Sequence, residues 1–172
     1  MPNLVPVLKK DEIEILVAEL AKKISSDYQD RELVLIAVLK GAFIFLSDLI
    51  RQLTIAVKVD FIRVASYGSN TSSSGKIQLT KEIEIDIKNN DVLVVEDIID
   101  TGLTLTYIVD YLKSFGPKSV KVCTFLDKIE RRKSDIEIDY AGHVVEKGFL
   151  VGYGLDCAED YRYLPAVYHL IL

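Results

Sequence analysis

The sequence predicts an α/β fold: a doubly wound, mostly parallel sheet with a small C-terminal cap over its mouth. Three observations carry that reading. Aliphatic runs at Leu33–Leu39 and Val92–Val95 are unbroken by polar residues, and Val120–Leu126 is mostly apolar, the pattern of strands buried on both faces. Between them lie segments whose apolar residues fall at helical spacing, and strands alternating with helices build parallel sheets. The central run leads through Glu96-Asp97 and two aliphatics into the polar turn Asp100-Thr101-Gly102-Leu103-Thr104. A turn at the carboxyl end of a buried strand is where open α/β sheets bind ligands.

Taken in order, residues Lys10–Ile24 place Ile13, Leu16, Val17, Leu20 and Ile24 at helical spacing among charges, an amphipathic surface helix. Leu33–Leu39 is a strand, Lys40-Gly41 a tight turn and Ala42–Arg51 a helix, the first strand-turn-helix unit. Ile55–Ala65 reads as the next strand. Tyr67–Gly75 is a tract of Gly, Ser, Thr and Asn without an apolar anchor, expected to be a mobile loop. Lys76–Leu79 and Ile83–Ile87 read as short strands pairing as a two-stranded ribbon that carries the loop. Leu103–Phe115 is a helix stopped by Gly116-Pro117, followed by the strand Val120–Leu126. Val144–Leu172 supplies the cap. The expected organisation is one domain over residues 1–172, with a core at about 10–140 and a hood at about 143–172.

Composition narrows the function classes. A chain of 172 residues can bury one substantial core. A net charge of −5 argues against nucleic acid or a membrane surface as the main partner. No apolar run approaches the ~18 residues needed to span a bilayer. Only Cys123 and Cys157 are present, which suggests neither a disulfide framework nor a zinc site, and fits the cytoplasm.

The central motif suits a sugar phosphate. Gly102 lets the backbone approach an anion, Thr101 and Thr104 offer hydroxyls, and the following helix points unpaired N–H groups into the turn. Glu96 and Asp97 face the same mouth, where adjacent carboxylates would accept from sugar hydroxyls or hold Mg²⁺. Asp100 has a simpler local reading as a helix N-cap.

The stretch Val92–Thr104 resembles the signature of the type I phosphoribosyltransferases, which bind 5-phosphoribosyl 1-pyrophosphate (PRPP), and Asp100 before Thr-Gly points to their purine-salvage, hypoxanthine-guanine branch. The resemblance extends from about Leu33 to Pro165, through Leu39-Lys40-Gly41, Ser66-Tyr67-Gly68, Leu126-Asp127-Lys128, the run Phe149–Asp156 and Arg162. It implies the type I fold and transfer of phosphoribose from PRPP to N9 of a 6-oxopurine with Mg²⁺, giving IMP or GMP. Asp100 would handle the proton at purine N7. Asp100, Thr101, Gly102, Leu103 and Thr104 would cradle the 5′-phosphate, and Glu96 and Asp97 the ribose hydroxyls. Lys40, Gly41 and Arg162 would meet pyrophosphate, with a cis peptide at Leu39-Lys40. Ile98 and Phe149 would sandwich the purine, Lys128 would donate to its O6, and Leu150 and Asp156 would face its 2-position. Glu96, Asp97 and Asp156 would serve the metal directly or through water, and Ser66-Tyr67 would open a lid.

A homodimer or homotetramer is expected by the same resemblance. Arg131, Arg132 and Lys133 read as a solvated face. They are also the sole support for a competing reading, a nucleotide-sensing regulator built on the same fold. A xanthine-preferring enzyme is the other alternative.

Overall fold

The computed structural model describes residues 3–67 and 76–171. Its elements are β1 (Asn3–Leu8), α1 (Lys10–Asp27), β2 (Leu33–Val38), α2 (Phe43–Ile50), β3 (Val57–Tyr67), β4 (Lys76–Lys81), β5 (Asp91–Ile99), α3 (Leu103–Lys113), β6 (Ser119–Lys128), β7 (Tyr140–Val145), β8 (Leu150–Val151) and β9 (Val167–Ile171). Six strands form the main sheet in the order β4-β3-β2-β5-β6-β7, parallel throughout except where β4 runs back along β3.

Strand alternation explains the double winding. Leu33, Leu35 and Ala37 of β2, with Leu93 and Val95 of β5, pack beneath α1 and α2. Val34, Ile36 and Val38, with Val92 and Val94, pack on the other face against Leu105, Ile108 and Leu112 of α3. Successive side chains leave a strand on opposite faces, so a run apolar at every position is one that must satisfy two cores. Among the described residues, no helix is long and apolar enough to cross a membrane.

The fold departs from the sequence reading at Ile83–Ile87 and at the hood. Ile83–Ile87 is not a strand, and β4 pairs with β3 instead. Its backbone is claimed by Asp60 of β3, whose Oδ2 accepts from the N–H of Glu84 and Ile85 at 2.5 and 2.9 Å, while Oδ1 accepts from Phe61 N–H at 2.7 Å. The hood boundary also shifts. β7 adds in parallel to β6 and belongs to the main sheet, so the core reaches Val145, and the hood is a three-stranded sheet β1-β9-β8 that recruits Asn3–Leu8.

Asp60 is 6% exposed. Burial alone would raise its pKa, but the N–H groups of Ile85, Glu84 and Phe61, with Lys81, lower it below its ordinary 3.8. A depressed carboxyl stabilises the fold above its unfolded pKa, and the contribution disappears as pH falls through the folded value. Asp60→Asn, which turns an amide NH₂ toward backbone donors, is expected to cost about 1–3 kcal/mol at neutral pH. Denaturant unfolding as a function of pH checks this: the gap to the native chain should narrow below pH 3.8.

Candidate active site

Glu96, Asp97 and Ile98 lie near the carboxyl end of β5, and residues 100–102 turn the chain into α3. The turn needs glycine at 102, where φ is +82° and a Cβ would collide with Ser134 Oγ. Gly102, not Asp100, is the N-cap of α3, so the local capping alternative for Asp100 does not hold. A cavity of about 180 Å³ opens here, lined by Glu96, Asp97, Asp100, Thr101, Gly102 and Thr104 among others. Thr101 Oγ1 accepts from Leu103 N–H at 3.3 Å, closing a hydroxyl turn at the mouth.

Asp100 and Lys128, from neighbouring strand ends, come together. Lys128 Nζ lies 3.9 Å from Asp100 Oδ1 and 3.5 Å from Glu130 Oε2, and Lys128 is 9% exposed. Asp100 Oδ1 is buried without a hydrogen-bond partner among the described residues, while Oδ2 has Arg131 Nη2 at 3.3 Å. A buried acceptor left open beside a buried cation is a place built for a polar ligand.

Arg132 corrects the sequence reading of a solvated face. Its guanidinium donates to the carbonyls of Asp100 at 3.1 Å, Ile99 at 3.4 Å and Lys128 at 3.1 Å, and pairs with the Asp127 carboxylate. Lys133 N–H adds a bond to Thr101 O at 2.8 Å. One side chain therefore ties the turn after β5 to the end of β6. The only sequence signal was three consecutive cations directly after a strand end in an acidic chain.

A second corner joins the turn after β2 to the C-terminal segment. The Leu39-Lys40 peptide is cis. Gly41 is required because a Cβ there would strike the Asp97 carboxylate, so the turn and β5 touch. Arg162 Nη1 donates to Gly154 O at 2.7 Å, and Nη2 lies 2.9 Å from Asp156 Oδ1. Asp156 Oδ2 accepts from Glu159 N–H at 2.9 Å, so both its oxygens are engaged. Glu159, which the sequence did not single out, reaches Lys40 Nζ at 2.9 Å.

Glu96 is 8% exposed, and its Oε1 accepts from Asp97 N–H at 3.0 Å. Burial, followed by the Asp97 charge, pushes its carboxyl well above the usual range. Burial pushes Asp97 up as well, against the hydrogen bonds from Glu96 and backbone N–H and the charge of Arg162. Two acids held this way gain from any cation or hydroxyl donor placed beside them.

Ile98 is half-buried, Leu150 is buried in β8, and the Phe149 ring is 51% exposed at the hood edge. Ser66 and Tyr67 are the last two residues of β3, paired with Ile77 and Lys76 of β4. The rest of the expected lid, 68–75, lies outside the described residues.

Comparison with known proteins agrees with this geometry. A family model described as the phosphoribosyl transferase domain matches residues 7–158. The chain is 50% identical over 163 residues to a hypoxanthine-guanine phosphoribosyltransferase of Aquifex aeolicus, covering 94% of this chain and 92% of that protein. It is 44% identical over 161 residues to the enzyme of the same name from Bacillus subtilis, covering 94% and 89%. A solved hypoxanthine-guanine phosphoribosyltransferase from Bacillus anthracis superposes with a TM-score of 0.92 at 42% identity, covering 99% of this chain and all of that one. Sequence, sheet order and the strand-end turn thus converge, and the chain belongs to the phosphoribosyltransferase family, among its hypoxanthine-guanine phosphoribosyltransferases.

Proposed function

We propose that the chain transfers the 5-phosphoribosyl group from PRPP to N9 of hypoxanthine and guanine, forming IMP and GMP and releasing pyrophosphate. The observation that carries this reading is the Asp100–Lys128 pair: an open buried acceptor 3.9 Å from a buried ammonium. A 6-oxopurine presents N7 and O6 on one edge, and these two groups suit them. Asp100 takes or shares the ring proton as N9 bonds to C1 and the C1–oxygen bond to pyrophosphate breaks. Lys128 donates to O6. An ammonium has donors only, so the 6-amino group of adenine leaves it unpaired.

The 100–104 turn receives the 5′-phosphate through backbone N–H groups and the Thr101 and Thr104 hydroxyls. Glu96 and Asp97 receive the ribose hydroxyls, while the Lys40-Gly41 backbone and Arg162 hold pyrophosphate. Glu96 and Asp97 also form an oxygen-only donor pair of the kind Mg²⁺ accepts, completed by water and substrate oxygens. Such an ion would supply positive charge against the leaving pyrophosphate. Asp156, with both oxygens engaged, serves it through water. Ile98 and the open Phe149 ring stack on the purine. The Leu150 carbonyl and Asp156 face the 2-position, where guanine brings a donor and xanthine an acceptor, so xanthine ranks below. Ser66 and Tyr67 root the lid, the assembly is a homodimer or homotetramer, and the enzyme works in the cytoplasm. The regulator alternative is the weaker reading, because Arg132, one of the three cations behind it, is turned inward to Asp127 and three backbone carbonyls.

The test is an initial-rate ultraviolet assay with PRPP and Mg²⁺ against hypoxanthine, guanine, xanthine and adenine in parallel. Turnover of the first two with adenine inert is expected. Saturable PRPP binding with no turnover of any base would overturn the reading.

A further inference from the structure

Lys40 and Arg162 already share an anionic partner. The Glu159 carboxylate sits between them, 2.9 Å from Lys40 Nζ and 3.7 Å from Arg162 Nη2. The chain reaches this arrangement through a costly backbone: Ala158, Glu159 and Tyr161 have φ of +52°, +70° and +75°, the left-handed region that non-glycine residues rarely occupy. The turn is pinned by Glu159 N–H on Asp156 Oδ2 and by reciprocal backbone bonds between Cys157 and Asp160. Lys40, and then Arg162, hold the Glu159 carboxyl below its usual range, so it is ionised at neutral pH. With Asp156 and Glu159 both in place, each of the two cations at this corner faces a carboxylate. The corner attracts an anion only when Glu159 leaves, and its side chain, 64% exposed, leaves into water without giving up buried contact.

We propose that Glu159 is an internal stand-in for the pyrophosphate group, exchanged for it when substrate binds and restored to Lys40 and Arg162 as pyrophosphate departs. The inference rests on the proposed binding of pyrophosphate by the Lys40-Gly41 turn and Arg162. An internal competitor lowers ligand affinity in proportion to the population of its closed form, and here it would hasten release of a multiply charged product.

The test is calorimetric titration of inorganic pyrophosphate with Mg²⁺ into the native chain, Glu159→Gln, Glu159→Asn and Arg162→Gln, with thermal unfolding of each. Asparagine tolerates the left-handed backbone, so at least one neutral variant keeps the turn. Removing the charge is expected to tighten pyrophosphate binding about two- to fivefold, the scale of one exposed ion pair. Arg162→Gln is expected to weaken it. Weaker binding in Arg162→Gln with unchanged or weaker binding in both Glu159 variants overturns the exchange while leaving the site assignment standing. Unchanged binding in Arg162→Gln overturns the assignment, and the exchange with it.

Discussion

Asp100→Asn is expected to lower kcat by about 10²- to 10⁴-fold, the range that general acid–base groups contribute. The PRPP KM should move by less than about threefold, because the change removes an interaction made in the transition state. Asparagine fills the same space and keeps the backbone carbonyl that Arg132 holds at 3.1 Å. It does not cap α3, so helix stability is not at stake. What it loses is the ability to take a proton at the one buried oxygen without a hydrogen-bond partner in this pair. Steady-state rates with hypoxanthine and guanine decide the matter. A variant with native kcat would mean that the open oxygen is incidental and the proton leaves by another path.

Arg132→Met is expected to reduce stability by about 2–3 kcal/mol and kcat by tenfold or more, roughly. The guanidinium is 22% exposed and its Asp127 partner 17%, so the charged bond is shielded, and its loss strands a carboxylate together with three carbonyl acceptors. The kinetic effect follows from what those carbonyls belong to: Ile99 and Asp100 on one side and Lys128 on the other. Freed from the clamp, acceptor and ammonium no longer hold a fixed separation across the purine edge. Arg132→Lys should not rescue, since a single ammonium cannot reach four acceptors in a planar fork. Denaturant unfolding combined with kcat measures both parts, and a Met variant native in both would reduce Arg132 to surface charge.

How much could be read from the chain depended on the range of the interaction. β2 and β5 were legible because a strand caught between two helical layers must be apolar at every position, and the turn at 100–102 was legible because its parts are adjacent in sequence. Ile83–Ile87 alternates like a strand, yet its backbone donors answer to Asp60, more than twenty residues away, and no local pattern records that. Arg132 looked solvated for the same reason: its acceptors at 99 and 100 lie at the end of another strand and in the turn that follows it. Glu159 was hidden by distance and by backbone. Its partner Lys40 is 119 residues off, and a left-handed glutamate has no sequence signature.

The hood has a consequence for the order of assembly. Asn3 pairs with Ile171 and Leu8 with Val167, partners about 160 positions apart, so β1 has no ladder until β9 exists. The main sheet, whose parallel neighbours are all far closer in sequence than β1 and β9, brings those distant ends within reach of each other. The edge bearing Phe149 and Leu150 is therefore finished last. A chain halted short of Val167 would already possess the turn at 100–104, the paired acids and the Asp100–Lys128 pair, but Phe149 and Leu150 would lack the strand that fixes their backbone.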